Sequence, residues 1–202
     1  SMLEQLMMSL SMLVFTAMVI SLGTSVYAAQ RITFQILSFG WMPGFAFAVA
    51  ATTLTGQAMG AGQPAAAVRA TWMATAYATL FMTLFSVVVF IFSEPIAGIY
   101  TADPGIKSLA GEAMRILALA LPGFALTFVL QGGLRGAGDT RFPMWVTGVS
   151  SWLVRLPAAW YFGIHLGFGL AGMYWIFLAE TTLRLSVTFW RYQVGKWKEM
   201  EV

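Results

Sequence analysis

Cysteine is absent from this 202-residue chain, and charged residues make up only 9% of it. The first absence excludes disulfides, a thiol nucleophile and a thiolate metal site. The second decides more, because a soluble domain is roughly a quarter charged and a chain this poor in charge cannot cover its surface in water. Hydrophobic residues reach 59% and the mean hydropathy is +0.77. Lipid is therefore the predicted solvent, and a soluble enzyme is excluded.

Side chains for metal binding or acid–base catalysis are also scarce. The single histidine, His165, lies in a glycine-rich turn with no carboxylate close in sequence, so it is interpreted as a solvated turn residue. No nucleophile–base pair is visible. The basic residues do not alternate with aromatics as in a nucleic-acid-binding surface. We therefore predict no metal, no resident cofactor, no nucleic-acid partner and no enzymatic activity.

Six apolar stretches, by contrast, are each close to the ~20 residues that a membrane-spanning helix needs. They cover residues 3–22, 32–57, 65–92, 106–131, 142–166 and 168–194, and turn-forming residues separate them. One of these breaks, Ser93-Glu94-Pro95, is expected to end the third helix. Membrane strands would alternate polar and apolar residues, whereas these runs are continuously apolar. The sequence predicts an all-α integral membrane protein, with one bundle of six transmembrane helices over residues 1–202.

The basic residues predict the orientation of the bundle. With six spans, both termini lie on one side, together with the turns that follow the second and fourth helices. Six basic residues of the loops and tails fall on that side and two on the other, namely Arg69, Arg135, Arg141, Arg191, Lys196 and Lys198 against Arg31 and Lys107. Cytoplasmic loops carry the excess of Lys and Arg, so both termini are predicted to be cytoplasmic.

Charged residues inside the predicted spans need a reason, because each costs ~2.5–3.5 kcal/mol on insertion scales. Glu180 and Arg184 are four residues apart and meet on one helix face. They form either a self-neutralising pair or a proton or cation relay. The pair is favoured, because a paired carboxylate titrates poorly near neutral pH. Arg155 needs a partner on another helix or a wet cavity, and Glu180 is a candidate for that partner.

Other polar and helix-bending residues stand within or at the ends of the spans. Glu4 opens the first helix, where it is either an acid favoured by the helix dipole or a functional acid. Gln57 ends the second helix beside several threonines, for which helix packing is the default interpretation. Pro43-Gly44, Pro122-Gly123 and Pro157 are expected to interrupt three of the six helices. Such interruptions favour a moving bundle over a static anchor.

Two stretches carry more than composition. The first ends the second helix and has the pattern GQxxGAG, formed by Gly56, Gln57, Gly60, Ala61 and Gly62. The second follows the fourth helix and reads LRGAGDTRxP, with Arg135, Gly136, Gly138, Asp139 and Arg141 as its polar and glycine positions. Together they resemble the multidrug and toxic compound extrusion (MATE) family of secondary transporters. The resemblance runs the whole chain.

The resemblance implies a two-lobed transporter with twelve helices, of which this chain is similar to the C-terminal lobe. It implies export of amphipathic or cationic small molecules, coupled to sodium or protons, across a bacterial or archaeal plasma membrane. The missing partner is then an N-terminal lobe or a second copy of this chain, with membrane lipid around both. Arg135 and Arg141 are expected to bind lipid phosphates or cap carbonyls, with Asp139 bridging them or capping the next helix.

The family's coupling acids match this chain only in part. An acid on the first helix of the C-terminal lobe corresponds approximately to Glu4, whereas the position on the fourth helix falls near Pro122 and has no acid. Two other functions stay open. One is a lobe of a related flippase for lipid-linked oligosaccharides, for which the arginines within the spans would suit a more cationic cavity. The other is a non-transporting membrane scaffold or fragment.

Overall fold

The computed structural model describes residues 2–195 and Trp197, with side chains from Gln5 onward. Within that part of the chain six helical rods follow one another and no strand occurs. We number them α1 (Met2–Ser21), α2 (Thr24–Gly60), α3 (Pro64–Tyr100), α4 (Pro104–Gly136), α5 (residues 141–165) and α6 (Gly169–Val194). The all-α membrane fold predicted from the sequence is confirmed.

Three helices are longer than predicted. The break expected at Ser93-Glu94-Pro95 is wrong, because α3 continues to Tyr100 and only bends at Phe92, where φ is −102° and ψ is 20°. The ring of Pro95 would meet the carbonyl of Ile91 in a straight helix, and the bend at the next residue turns that carbonyl aside. Helices α2 and α4 also begin earlier than predicted, at Thr24 and Pro104. The predicted spans followed the apolar stretches, but the polar end of a helix can extend out of the lipid into water.

The prolines differ in their effect. Helices α2 and α4 run through Pro43 and Pro122 without the expected interruption. Around Pro157, however, α5 contains two π-helical turns, Ser150–Arg155 and Trp160–His165. The N–H of Leu156 accordingly donates to the carbonyl of Ser151, five residues back. A π turn is wider than an α turn and rotates the side chains that follow it.

Helix α4 lies at the centre of the bundle. In its most apolar window 67% of the residues are buried, against 33% in α2 and 28% in α3. It contacts α2, α3 and α6. Within the described residues, three helices, α2, α3 and α4, are long and apolar enough by length and composition to cross a membrane. Large hydrophobic side chains cover the outer surface, for example Ile99, Leu153 and Met42.

A seam of glycines lets α4 approach its neighbours closely. A side chain at Gly132 or Gly136 would overlap the carbonyl groups of Ala48 or Thr52 on α2. The hydroxyl of Thr52 donates to the carbonyl of Gly132 at 2.9 Å. On the other flank, a Cβ at Gly133 would meet the side chain of Thr71 on α3. Small residues are the usual means by which membrane helices pack tightly.

Candidate functional site

A cleft opens where α1 and α2 lie in front of α4, α5 and α6. Its larger cavity has a volume of about 290 Å³. Six aromatic side chains line that cavity, namely Phe34, Trp41, Phe45, Phe124, Phe128 and Phe177. Methionines from α1, Met8 and Met12, complete the apolar part. Arg155 and Arg184 are the charged residues of its lining within the described chain.

A second cavity of about 180 Å³ extends the cleft along α2 and α4. It shares four residues with the first, namely Met8, Phe45, Phe128 and Arg184, so the two form one continuous cleft. Its remaining lining is more polar and includes Gln5, Gln131, Arg135 and Thr147. The aromatics of the cleft also stack on one another. The rings of Phe45 and Phe128, for example, are 4.5 Å apart between centroids.

An ion pair on α6 lies at the back of the cleft. Arg184 donates to the carboxylate of Glu180, one helical turn before it, as the spacing predicted. The same guanidinium donates to the hydroxyl of Ser150 at 3.0 Å and to that of Ser151 at 3.2 Å. Glu180 is 1% exposed and Arg184 4% exposed. The pair is therefore held between α5 and α6, away from lipid.

Arg155 stands beside this pair, with different partners from those predicted. Its Nη2 donates to the hydroxyl of Ser11 on α1 at 3.0 Å. Its guanidinium carbon lies 4.9 Å from the ring centroid of Phe177, a cation–π contact. No direct hydrogen bond joins Arg155 to Glu180 in the described residues, although the two charges interact through space. The Nε of Arg155 is buried and has no hydrogen-bond partner among the described residues.

The folding of α5 explains why these groups meet. Its first π turn, Ser150–Arg155, places Ser150, Ser151 and Arg155 on the buried side. Three serines of this cluster, Ser11, Ser150 and Ser151, were not among the site residues predicted from the sequence. Their signal was weak, since single hydroxyls in an apolar segment usually bond to their own helix. Only the fold brings Ser11 to Arg155, which lies 144 residues later.

The other candidate residues lie elsewhere. The backbone of Glu4 belongs to α1, but its side chain lies outside the described residues. Gln57 is exposed near the end of α2 and does not line the cleft. Pro43 is half-buried within α2 and is also absent from the lining. His165 is exposed and lies beside the rings of Trp160 and Tyr161. No cluster of metal-ligating side chains occurs in the described part of the chain.

The two sequence motifs meet at one end of the bundle. A Cβ at Gly56 would lie 3.3 Å from the carbonyl oxygen of Gly136, so the helix ends that carry the motifs are in close contact. Gly62 and Gly138 have φ values of +67° and +91°, which only glycine adopts readily. Gly60 is exposed with open space around it. The motifs therefore shape the turns after α2 and α4.

Asp139 pairs differently from expectation. Its carboxylate accepts from Arg191 on α6 at 2.9 Å, instead of bridging Arg135 and Arg141, and it is 4% exposed. It also accepts from the backbone N–H of Phe142 at 3.4 Å, which supports the predicted capping of α5. Arg141 is exposed. The bridge thus joins the turn after α4 to the end of α6.

The end of α6 and Trp197 pack against the end of the bundle where the two motifs meet. Gly195 ends α6 with φ of +74°, and the indole N–H of Trp197 donates to the carbonyl of Tyr192 at 3.0 Å. Trp197 is 0% exposed, and its ring lies 5.0 Å from that of Tyr192 between centroids. It packs among buried residues of α3 and α4, including Ala67 and Leu134. This cluster fastens α6 to α3 and α4.

Comparison with known proteins gives a consistent result. The MatE family model matches residues 1–161. A probable multidrug resistance protein NorM of Thermotoga maritima is 30% identical over 203 residues, covering 99% of this chain and 43% of the relative. The uncharacterized transporter YisQ of Bacillus subtilis is 30% identical over 194 residues, covering 96% of this chain and 43% of the relative. The chain thus spans less than half the length of these relatives.

Solved structures share the fold of this chain. The solved structure of the MATE transporter ClbM in complex with Rb⁺ superposes with a TM-score of 0.88 at 23% identity. The superposition covers 98% of this chain and 47% of the ClbM chain. An outward-facing multidrug resistance MATE transporter superposes with a TM-score of 0.87 at 22% identity. From the family match, the relatives and the shared fold, we conclude that this chain belongs to the MATE family of membrane transporters.

Proposed function

We propose that the chain is the C-terminal six-helix lobe of a MATE-type multidrug exporter. The observation that carries the proposal is the aromatic cleft where α1 and α2 lie in front of α4, α5 and α6. At about 290 Å³ its larger cavity is just below the ~300–1,000 Å³ of complete small-molecule sites. A facing lobe would complete it. The chain covers 43% of a relative named a probable multidrug resistance protein, a share that a single lobe would have.

The lining suits varied, flat apolar molecules. Aromatic faces contact planar ligands at little entropic cost, and the methionines Met8 and Met12 adapt to different shapes. Alternating access requires two bodies that rock about a shared site. In this proposal the second body is an N-terminal lobe or a second copy of the chain. Both lie in the plasma membrane of a bacterium or archaeon, with cytoplasmic termini.

Sodium or proton coupling is part of the proposal, and it requires an acidic residue that binds the coupling ion. Glu180 is a poor candidate, because Arg184 already occupies its carboxylate and the residue is 1% exposed. Glu4 at the start of α1 remains the coupling candidate within this chain. An acid in the partner lobe is the alternative.

A second function has one specific observation in its favour. Two buried arginines face the cleft, as a flippase for lipid-linked oligosaccharides would need for a diphosphate group. Ethidium export and flipping of a fluorescent lipid-linked sugar, both in vesicles that hold this chain with an N-terminal lobe, separate the two functions. We expect ethidium export that depends on a sodium or proton gradient, without lipid flipping.

A matched pair of variants ties that transport to the cleft. Trp41 lines the cavity, whereas Trp145 is 65% exposed on the outer surface of α5. Trp41→Ala should lower the export rate about tenfold, because a substrate that loses the contacts of one aromatic ring loses roughly 1.5 kcal/mol or more. Trp145→Ala should leave it unchanged. Equal loss in both variants, or lipid flipping without ethidium export, would contradict the proposal.

A further inference from the structure

The charge of the cleft suggests a substrate class in addition to the organic cations that the sequence resemblance implied. We propose that the arginine wall, formed by Arg155 and Arg184, binds the anionic group of an amphipathic substrate, such as a carboxylate, sulfonate or phosphate attached to an aromatic body. The inference rests on the proposed function, since it takes the cleft to be the site that holds the substrate.

The charged residues at the larger cavity do not neutralise one another within the described part of the chain. Neither cavity has an aspartate or glutamate among its described lining residues, whereas both have Arg184 and the larger one also has Arg155. The carboxylate close to them is that of Glu180, which is 1% exposed and engaged by Arg184. Among the described residues at the larger cavity, the guanidinium groups of Arg155 and Arg184 and the carboxylate of Glu180 leave one positive charge. In an apolar surrounding such a charge needs a counter-charge.

The guanidinium of Arg155 has hydrogen-bond donors that no described residue uses. Arg155 is 5% exposed, and its hydrogen bond to Ser11 occupies only one of its two terminal nitrogens. The other terminal nitrogen, Nη1, makes no hydrogen bond within the described part of the chain. A guanidinium presents a planar fork of N–H donors that fits the paired oxygens of a carboxylate or phosphate. Because Arg155 lines the larger cavity, the edge formed by its Nη1 and Nη2 can donate to an oxyanion there.

Arg155 lies next to the aromatic part of the cavity. Phe177 lies under the guanidinium of Arg155 at 4.9 Å from ring centroid to Cζ, and the same ring lines the aromatic cavity. A molecule with a flat apolar body and an acidic group can therefore occupy the ring-lined space and reach Arg155 at the same time. An ammonium group placed against Arg155 would meet a like charge, whereas a flat cation such as ethidium can bind on the aromatic rings with its charge away from Arg155.

Two fluorescent probes with the same body test the inference. Dansylglycine carries a carboxylate and dansylcadaverine an ammonium group, and energy transfer from tryptophan, including Trp41 in the cavity, reports binding of either. The protein is the full chain in phosphatidylcholine nanodiscs. We expect dansylglycine to bind at least about tenfold more tightly, since hydrogen bonds to a charged group contribute about that much. Equal affinities, or tighter binding of dansylcadaverine, would overturn the inference.

Variants of Arg155 test whether this residue causes the preference for the anionic probe. Arg155→Gln should raise the Kd of dansylglycine about tenfold, and Arg155→Lys, which keeps the charge but loses the fork, should raise it less. Arg115→Gln is the control, because Arg115 is paired with Glu94 at the exposed surface, 3.1 Å away, and lies outside the cleft. An unchanged Kd in Arg155→Gln would contradict the inference. If that variant does not fold, the probe preference of the unmodified chain still decides.

Competition identifies the source of the anionic group. Displacement of dansylglycine by phosphatidylglycerol in the nanodisc assigns the site to a lipid headgroup. Displacement by soluble benzoate alone assigns it to a soluble substrate. Failure of every anion to compete would contradict the inference. Such a failure leaves the proposed exporter standing, because gradient-driven ethidium export is measured independently and does not require an anion site.

Discussion

The buried pair of Glu180 and Arg184 gives the sharpest prediction. Glu180→Gln removes the carboxylate and leaves Arg184 charged, with the hydroxyls of Ser150 and Ser151 as its remaining acceptors. Breaking a buried pair costs about 3–5 kcal/mol. Because two hydroxyls still bind the guanidinium, we expect the lower end of that range, about 3 kcal/mol of unfolding free energy.

The two partners should differ in what their loss costs. A carboxylate left alone can bind a proton and become neutral, and it also has Arg155 nearby, whereas a guanidinium stays charged. Arg184→Leu should therefore cost less than Glu180→Gln. The double variant leaves neither charge and should lie within about 1 kcal/mol of the unmodified chain, since apolar replacements of buried pairs are often neutral.

The assay is reversible unfolding of the purified chain in mixed micelles, followed by tryptophan fluorescence. Glu112→Gln is the matched control, because Glu112 is exposed on α4 and the same chemical change there should stay within about 0.5 kcal/mol. The reasoning would be refuted by a stable Glu180→Gln variant. If that variant also lost ion-coupled transport, Glu180 would be a relay and not half of a structural pair.

Three further predictions concern packing and topology. Gly136→Ala should cost about 1–3 kcal/mol of unfolding free energy, because the new methyl overlaps a carbonyl of α2, whereas Gly60→Ala has open space and should cost almost nothing. Trp197→Ala should cost about 3–5 kcal/mol, since Trp197 is fully buried, while the 63% exposed Trp190 should tolerate the same change in the same unfolding assay. A single cysteine at His165 should react with an impermeant reagent outside the cell, and one at Gly60 should not; the opposite labelling would reverse the topology.

Much of the fold could be predicted from local patterns. Continuous apolar runs of about twenty residues predicted helices, since in lipid the backbone must satisfy itself. The spacing of Glu180 and Arg184 predicted their contact, because four residues is one helical turn. The glycine motifs after α2 and α4 predicted turns, and the positive φ values of Gly62 and Gly138 explain why glycine stands there.

Contacts between distant segments could not be predicted in this way. Arg155 binds Ser11 from the other end of the chain, and Asp139 binds Arg191 on α6. Both partners are set by how the helices pack, which no local period encodes. The first π turn of α5 had a local cause in Pro157, yet a proline alone does not say whether a helix kinks, widens or ends.

The aromatic cleft was the least predictable feature of the candidate site. Phenylalanines and tryptophans occur throughout the chain, and lipid-facing rings have the same spacing as cavity-facing ones. Phe34 and Phe45 line the cavity, whereas Phe39, on the same helix, is 56% exposed. Only the arrangement of α1 and α2 in front of α4 and α6 separates the two sets.

The most direct test of the half-transporter account is concentrative export by a single copy of the chain. The unmodified chain is reconstituted at no more than one molecule per vesicle, its mass is checked in nanodiscs, and ethidium export is driven by a sodium or proton gradient. We predict no export from vesicles with one chain, and export once an N-terminal lobe or a second copy is present, because alternating access needs two bodies. Gradient-driven ethidium export by vesicles that hold one chain alone would contradict the account.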